Sequence, residues 1–171
     1  MKLLNIDCME YMAGLDDNAF DLAVIDPPYG LGISNKAYLG KTENDAIWSG
    51  RASGYRHTPK KWDNSIPGSD FFQMLRRVSV NQIIWGWTYF VRYFGTCPSY
   101  IVWDKQTSGN YSDCETAYCS FPGVNKMFRW LWNGYRKQSP EPILIRLLLI
   151  YHRHSTSALE NQHFATAARF W

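Results

Sequence analysis

The stretch Asp21-Leu22-Ala23-Val24-Ile25-Asp26-Pro27-Pro28-Tyr29-Gly30 decides how this chain is read. After Asp21 the run to Ile25 is apolar without alternation, the pattern of a parallel strand covered on both faces. It stops in a carboxylate, two prolines and an aromatic ring. Two prolines remove two backbone donors and fix φ, so the chain leaves the sheet stiff and extended. A carboxylate and a flat ring then stand close together at the carboxyl end of a strand, where ligands bind in open α/β sheets. As a turn alone this is a poor sequence; as a chemical site it is a good one.

Working outward, residues 2–6 read as a strand. Residues 8–14 read as a short helix, with Met9, Met12 and Ala13 at helical spacing, Asp7 as a local N-cap and Gly14 at its end. Ser69 to Val78 reads as a second helix, capped by Ser69 or Asp70, with Phe71, Leu75 and Val78 facing inward and Met74 beside them. Residues 82–85 and 100–103 are further strands. Residues 115–121 and 126–132 read as an antiparallel pair or hairpin around Pro122-Gly123. Ser139-Pro140-Glu141-Pro142 can start a helix through 143–151. The expected fold is α/β: a mainly parallel sheet with helices on its faces and an antiparallel hairpin at one side.

Residues 30–67 show little periodicity. They hold Lys36, Lys41, Arg51, Arg56, His57, Lys60 and Lys61, interleaved with Tyr38, Trp48, Tyr55 and Trp62. A loop of this length inside a compact domain is unusual unless it is functional. It reads either as a flexible basic and aromatic flap over DNA or as a solvated loop.

The 171 residues suffice for one domain with a sizeable core. A net charge of +3 is compatible with nucleic-acid binding without arguing for it. Eight Trp can stack on bases, although most aromatics in such a chain belong to the core. Cys8, Cys97, Cys114 and Cys119 form no C-x-x-C pair, so no metal site is expected. The N-terminus has no signal-peptide pattern. The longest apolar stretch, Leu147-Leu148-Leu149-Ile150-Tyr151, is far too short to span a membrane. A cytoplasmic location with reduced thiols is expected.

Asp26-Pro27-Pro28-Tyr29 resembles the catalytic motif of the amino-methylating DNA methyltransferases, which make N6-methyladenine or N4-methylcytosine. In that family the motif is (Asp/Asn/Ser)-Pro-Pro-(Tyr/Phe/Trp). The upstream segments Leu3-Leu4-Asn5-Ile6-Asp7-Cys8 and Leu15-Asp16-Asp17-Asn18-Ala19-Phe20-Asp21-Leu22 resemble the family's opening. Asn81-Gln82-Ile83-Ile84-Trp85-Gly86, Ile101-Val102-Trp103-Asp104-Lys105 and Ser112-Asp113-Cys114-Glu115-Thr116-Ala117-Tyr118 are similar to later segments of phage-type members. The resemblance covers about residues 1–134.

The resemblance implies a sheet of the Rossmann-like methyltransferase type, a catalytic role for Asp26, Pro27, Pro28 and Tyr29, and contacts to S-adenosyl-L-methionine by Asp7, Cys8 and Asp26. It implies double-stranded DNA with a flipped target base as the partner, and a setting in phage or restriction-modification systems. An exocyclic amine is a poor nucleophile because its lone pair is delocalised into the ring. Asp26 and the Pro27 carbonyl can each accept one of its N–H groups and free that lone pair, while Tyr29 stacks on the flipped base. The implied reaction is N6 methylation of adenine in DNA. The alternatives are N4 methylation of cytosine and a non-catalytic DNA-binding remnant. Asp104 and Glu115 read as structural or solvated carboxylates.

The chain departs from the family pattern after residue 134. The glycine-rich cofactor loop and the acidic residue that would grip the ribose are both missing: no Gly follows Gly134 and no Asp follows Asp113. Trp87-Thr88 stand where related sequences tend to have Gly-Asn. The expectation is therefore a catalytic half over 1–134, with 30–67 as its DNA loop, and a divergent tail over 135–171. The cofactor half would be lost by truncation or a shifted reading frame. The sheet is expected to be incomplete, with an edge uncovered beside residues 22–25.

Overall fold

The computed structural model describes residues 4–32, 63–106 and 112–131, and the backbone of 164–167. The chain forms two compact units, one of residues 1–27 with 68–171 and one of residues 28–67.

The first unit is an α/β structure built on a six-stranded mixed sheet. Its strands are β1 (Phe20–Ile25), β2 (Ser79–Trp85), β3 (Ser99–Asp104), β4 (Cys114–Cys119), β5 (Lys126–Arg129) and β6 (Phe164–Ala167), in the order β5-β3-β4-β2-β1-β6. The pairs β1–β2, β1–β6 and β3–β5 are parallel, and β4 runs antiparallel to both β2 and β3. Every strand but β4 therefore ends on the same edge of the sheet. Two helices, α1 (Cys8–Ala13) and α2 (Ser69–Val78), and two 3-10 turns (Trp87–Tyr89 and Val91–Tyr93) complete the described elements.

The alternation of side chains along the strands gives the sheet two apolar faces. Leu22, Val24, Ile83, Trp85, Ile101, Trp103, Ala117 and Cys119 form one buried cluster with Trp130, and Phe121 and Phe128 pack against it. Trp103 stacks on Phe128, and its indole donates to the Trp130 carbonyl at 2.9 Å. On the other face Tyr118 stacks on Phe94, which meets Phe72 of α2, and Phe72 also packs on Phe90 and Tyr93. β1 is buried on both faces from Leu22 to Ile25, as its unbroken apolar run requires.

Several expectations need correction. Residues 4–6 form no strand, and Leu4 and Ile6 are exposed. The flank of β1 away from β2 is taken instead by β6, with Leu22↔Phe164 through Ile25↔Ala167 in register, so that edge of β1 is covered. β4 and β5 do not form a hairpin with each other. The 120–125 connection crosses the start of β3, where Ser99 Oγ donates to the Phe121 carbonyl and the Tyr100 N–H donates to Asn125 Oδ1. That crossing sets β5 on the far side of β3, parallel to it. The antiparallel hairpin is β3–β4, whose ladder is extended by Lys105 N–H donating to the Asp113 carbonyl.

The α2 bounds are as expected, but its cap is Gly68, which makes no side-chain cap bond, and its buried stripe is Phe72, Leu75 and Val78. Phe71 is half-buried, because Phe72 is the ring that meets the aromatic cluster on the sheet. The helix expected over 143–151 lies outside the described residues.

Candidate active site

β1 and β2 run in register up to Ile25↔Ile84, and Asp26 is the next residue on the edge where five strands end. Asp26 is half-buried and Pro27 is buried. The peptide bond after Pro27 leads into the second unit, where Pro28 and Tyr29 are half-buried. The four motif residues thus follow the buried strand directly.

Within the second unit the backbone beyond the prolines is held by a residue distant in sequence. Asp63, only 1% exposed, accepts the N–H groups of both Tyr29 and Gly30 on its Oδ1, each at 3.0 Å. Its carbonyl accepts the Gly32 N–H at 2.8 Å. Gly30 has φ +72°, and a Cβ there would stand 3.1 Å from the Ile66 nitrogen. Two successive N–H groups converging on one anionic oxygen is a nest-like arrangement that an L side chain at position 30 would strain. Asp63 was not recognisable from its surroundings in sequence. The one available signal was Gly30, a residue suited to positive φ whose backbone donors need an acceptor.

Asp7 and Cys8 lie elsewhere, at the start of α1, and both are exposed. Asp7 is the N-cap: its Oδ1 accepts from Met9 N at 2.8 Å and Glu10 N at 3.2 Å. A helix of six residues needs such a cap to persist. One Asp7 oxygen is thus engaged with its own helix, and the Cys8 thiol beside it is exposed.

On the same edge as Asp26, Asp104 pairs with Arg129 at 3.1 Å and accepts the Gln106 N–H, and Lys105 pairs with Glu115. These carboxylates are engaged in holding strand ends together. Trp87 begins the 3-10 turn after β2, and its Nε1 is buried without a hydrogen-bond partner among the described residues. A shallow cavity of about 280 Å³ lies between α1 and α2, lined by Met9, Asp70, Gln73, Met74 and Arg77. Arg77 donates there to the carbonyls of Met12 and Leu15, so its role in that cavity is to fasten α1.

Among the described residues no three His, Cys, Asp or Glu side chains gather as a metal-holding group. No described helix is long and apolar enough to cross a membrane. The basic and aromatic residues at 36–62 lie outside the described residues. No family model matches the chain, and no curated protein matches it significantly.

Proposed function

We propose that this chain carries the catalytic motif of a Rossmann-like, S-adenosyl-L-methionine-dependent DNA methyltransferase that acts in the cytoplasm on the N6 amine of adenine. The observation that carries the reading is Asp26. It is a half-buried carboxylate directly after a strand buried on both faces, on the edge where five of six strands end, and it is followed by two prolines and a ring. The Asp26 carboxylate and the Pro27 carbonyl accept the two N–H groups of the flipped amine, localising its lone pair for attack on an electrophilic methyl group. Tyr29 stacks on the base. Two prolines hold the accepting carbonyl stiff, which lowers the entropy lost on reaching the reactive geometry.

The test is transfer of tritium from labelled S-adenosylmethionine to double-stranded DNA. It uses the purified 171-residue chain alone and the same chain mixed with a polypeptide that supplies a glycine-loop cofactor half. The expected outcome is little transfer by the chain alone, transfer by the mixture, and N6-methyladenine in the nucleoside digest. N4-methylcytosine would move the target to the other amine. No methylated nucleoside from a mixture shown by sedimentation to associate would overturn the reading.

A further inference from the structure

We infer that Asp63 is a positioning residue for the motif: by taking the backbone N–H groups of Tyr29 and Gly30 on one carboxylate oxygen, it sets the direction in which the chain beyond Pro28 presents its ring. The inference rests on the functional reading above and adds a residue to it.

The argument starts from donors. Pro27 and Pro28 have no N–H, so Tyr29 and Gly30 carry the first two backbone donors after Asp26, and both need acceptors. Both find the same atom, Asp63 Oδ1, at 3.0 Å. Such bonds to an anionic oxygen are about twice as strong as neutral ones. Asp63 is separated from Tyr29 by 34 positions, so no local preference of the turn supplies this constraint.

The geometry also explains why the acceptor is a short carboxylate. The Asp63 main chain is itself tied to the turn, its carbonyl accepting the Gly32 N–H at 2.8 Å. A side chain of one methylene then reaches back to positions 29 and 30 with little freedom left. Gly30 holds a left-handed φ of +72°, and a Cβ there would press on Ile66 at 3.1–3.2 Å, so the turn is suited to glycine. Prolines stiffen the turn from one end and Asp63 stiffens it from the other. A ring that must stack on a base gains from both. Displacement of reacting groups by about 1 Å can lower turnover by about 100-fold.

The experiment compares Asp63→Ala and Asp63→Asn with the unmodified protein in two measurements. Asparagine keeps an oxygen in place to accept both N–H groups. The first measurement is amide hydrogen exchange of the 171-residue chain by NMR. Exchange at Tyr29 and Gly30 should accelerate at least about 10-fold in Asp63→Ala and much less in Asp63→Asn. The amides of Ile83 and Ile84 in β2, which report folding, should stay unchanged. The second is methyl transfer by the chain assembled with a cofactor half. There kcat should fall about 100-fold in Asp63→Ala and no more than about 10-fold in Asp63→Asn, with the KM for DNA little altered. Unchanged exchange at Tyr29 and Gly30 in Asp63→Ala would overturn the inference. So would accelerated exchange with undiminished kcat. If the unmodified assembly transfers no methyl group, the functional reading fails, and the exchange data alone decide whether Asp63 holds the turn.

Discussion

The guanidinium of Arg77, at the end of α2, donates to the main-chain carbonyl of Met12 at 2.6 Å and to that of Leu15 at 2.7 Å. A helix as short as α1 is marginal alone. Here its cap at Asp7 serves the first turn, and Arg77, 65 positions from Met12, serves the Met12 carbonyl in the last turn and the Leu15 carbonyl just beyond it. The same guanidinium pairs with Asp17 at 2.9 Å, but that carboxylate side chain is 73% exposed.

Arg77→Lys is therefore expected to lower stability by about 1.5–3 kcal/mol, because an ammonium cannot serve several diverging acceptors as the planar fork does. Asp17→Asn should change it by less than about 1 kcal/mol, since exposed ion pairs contribute little. Urea titrations monitored by Trp fluorescence check both. Equal losses from the two changes would mean that the ion pair, not the carbonyl contacts, fastens α1.

Two tryptophans separate packing from hydrogen bonding. Trp103→Phe removes a buried bond to the Trp130 carbonyl and part of a well-packed cluster, and should destabilise by about 2–4 kcal/mol. Trp87→Phe removes a buried donor that has no partner among the described residues, which offsets the lost area, and should change stability by less than about 1 kcal/mol. Urea midpoints at constant m-value give the comparison. A Trp87→Phe loss as large as that of Trp103→Phe would show that the Trp87 indole is bonded in solution.

In the assembled enzyme, Asp26→Ala should lower methyl transfer by about 1,000-fold or more while S-adenosylmethionine binding stays mostly intact, because the carboxylate acts on the target amine. Single-turnover assays and calorimetry measure the two quantities. Near-normal turnover would remove Asp26 from the mechanism.

DNA binding should weaken steeply with salt if the 30–67 segment neutralises phosphates. Lys36, Lys41, Arg51, Arg56, Lys60 and Lys61 set an upper bound on the contacts, so log K against log salt should fall with a slope between about −2 and −5. Deletion of residues 36–61 should flatten that slope. Salt-independent binding, or a slope unaltered by the deletion, would assign DNA contact to other residues.

Burial pushes the Cys119 thiol up to about 12, with the neighbouring Cys97 adding to the shift. The folded state holds this proton more tightly than the unfolded chain, where the value is the ordinary 9.0. The neutral thiol's contribution is complete below about pH 9. It is lost as pH rises from there towards about 12, by up to about 1.4 kcal/mol per pH unit. Burial also raises Cys97 and Tyr118, so they act in the same direction. Denaturation at pH 8 and at pH 10.5 should show a fall in stability that is smaller in Cys119→Ala. An identical fall in the variant would assign the dependence to the other groups.

By itself the sequence determined the features written in local patterns. The buried run Leu22–Ile25, the stop at Asp26-Pro27-Pro28, the cap at Asp7 and the span of α2 all follow from periodicity, missing donors and side-chain reach over a few residues. Tertiary structure alone decided who sits beside whom. A strand's apolar pattern says that it is buried but not which neighbour buries it. Phe164–Ala167 therefore takes the flank of β1 while Leu4 and Ile6 stay exposed, and β3 separates β4 from β5. The Asp63 contact to Tyr29 and Gly30 is of the same kind. A short side chain on a return segment looks like any other aspartate until the fold brings two proline-stranded N–H groups within 3.0 Å of it.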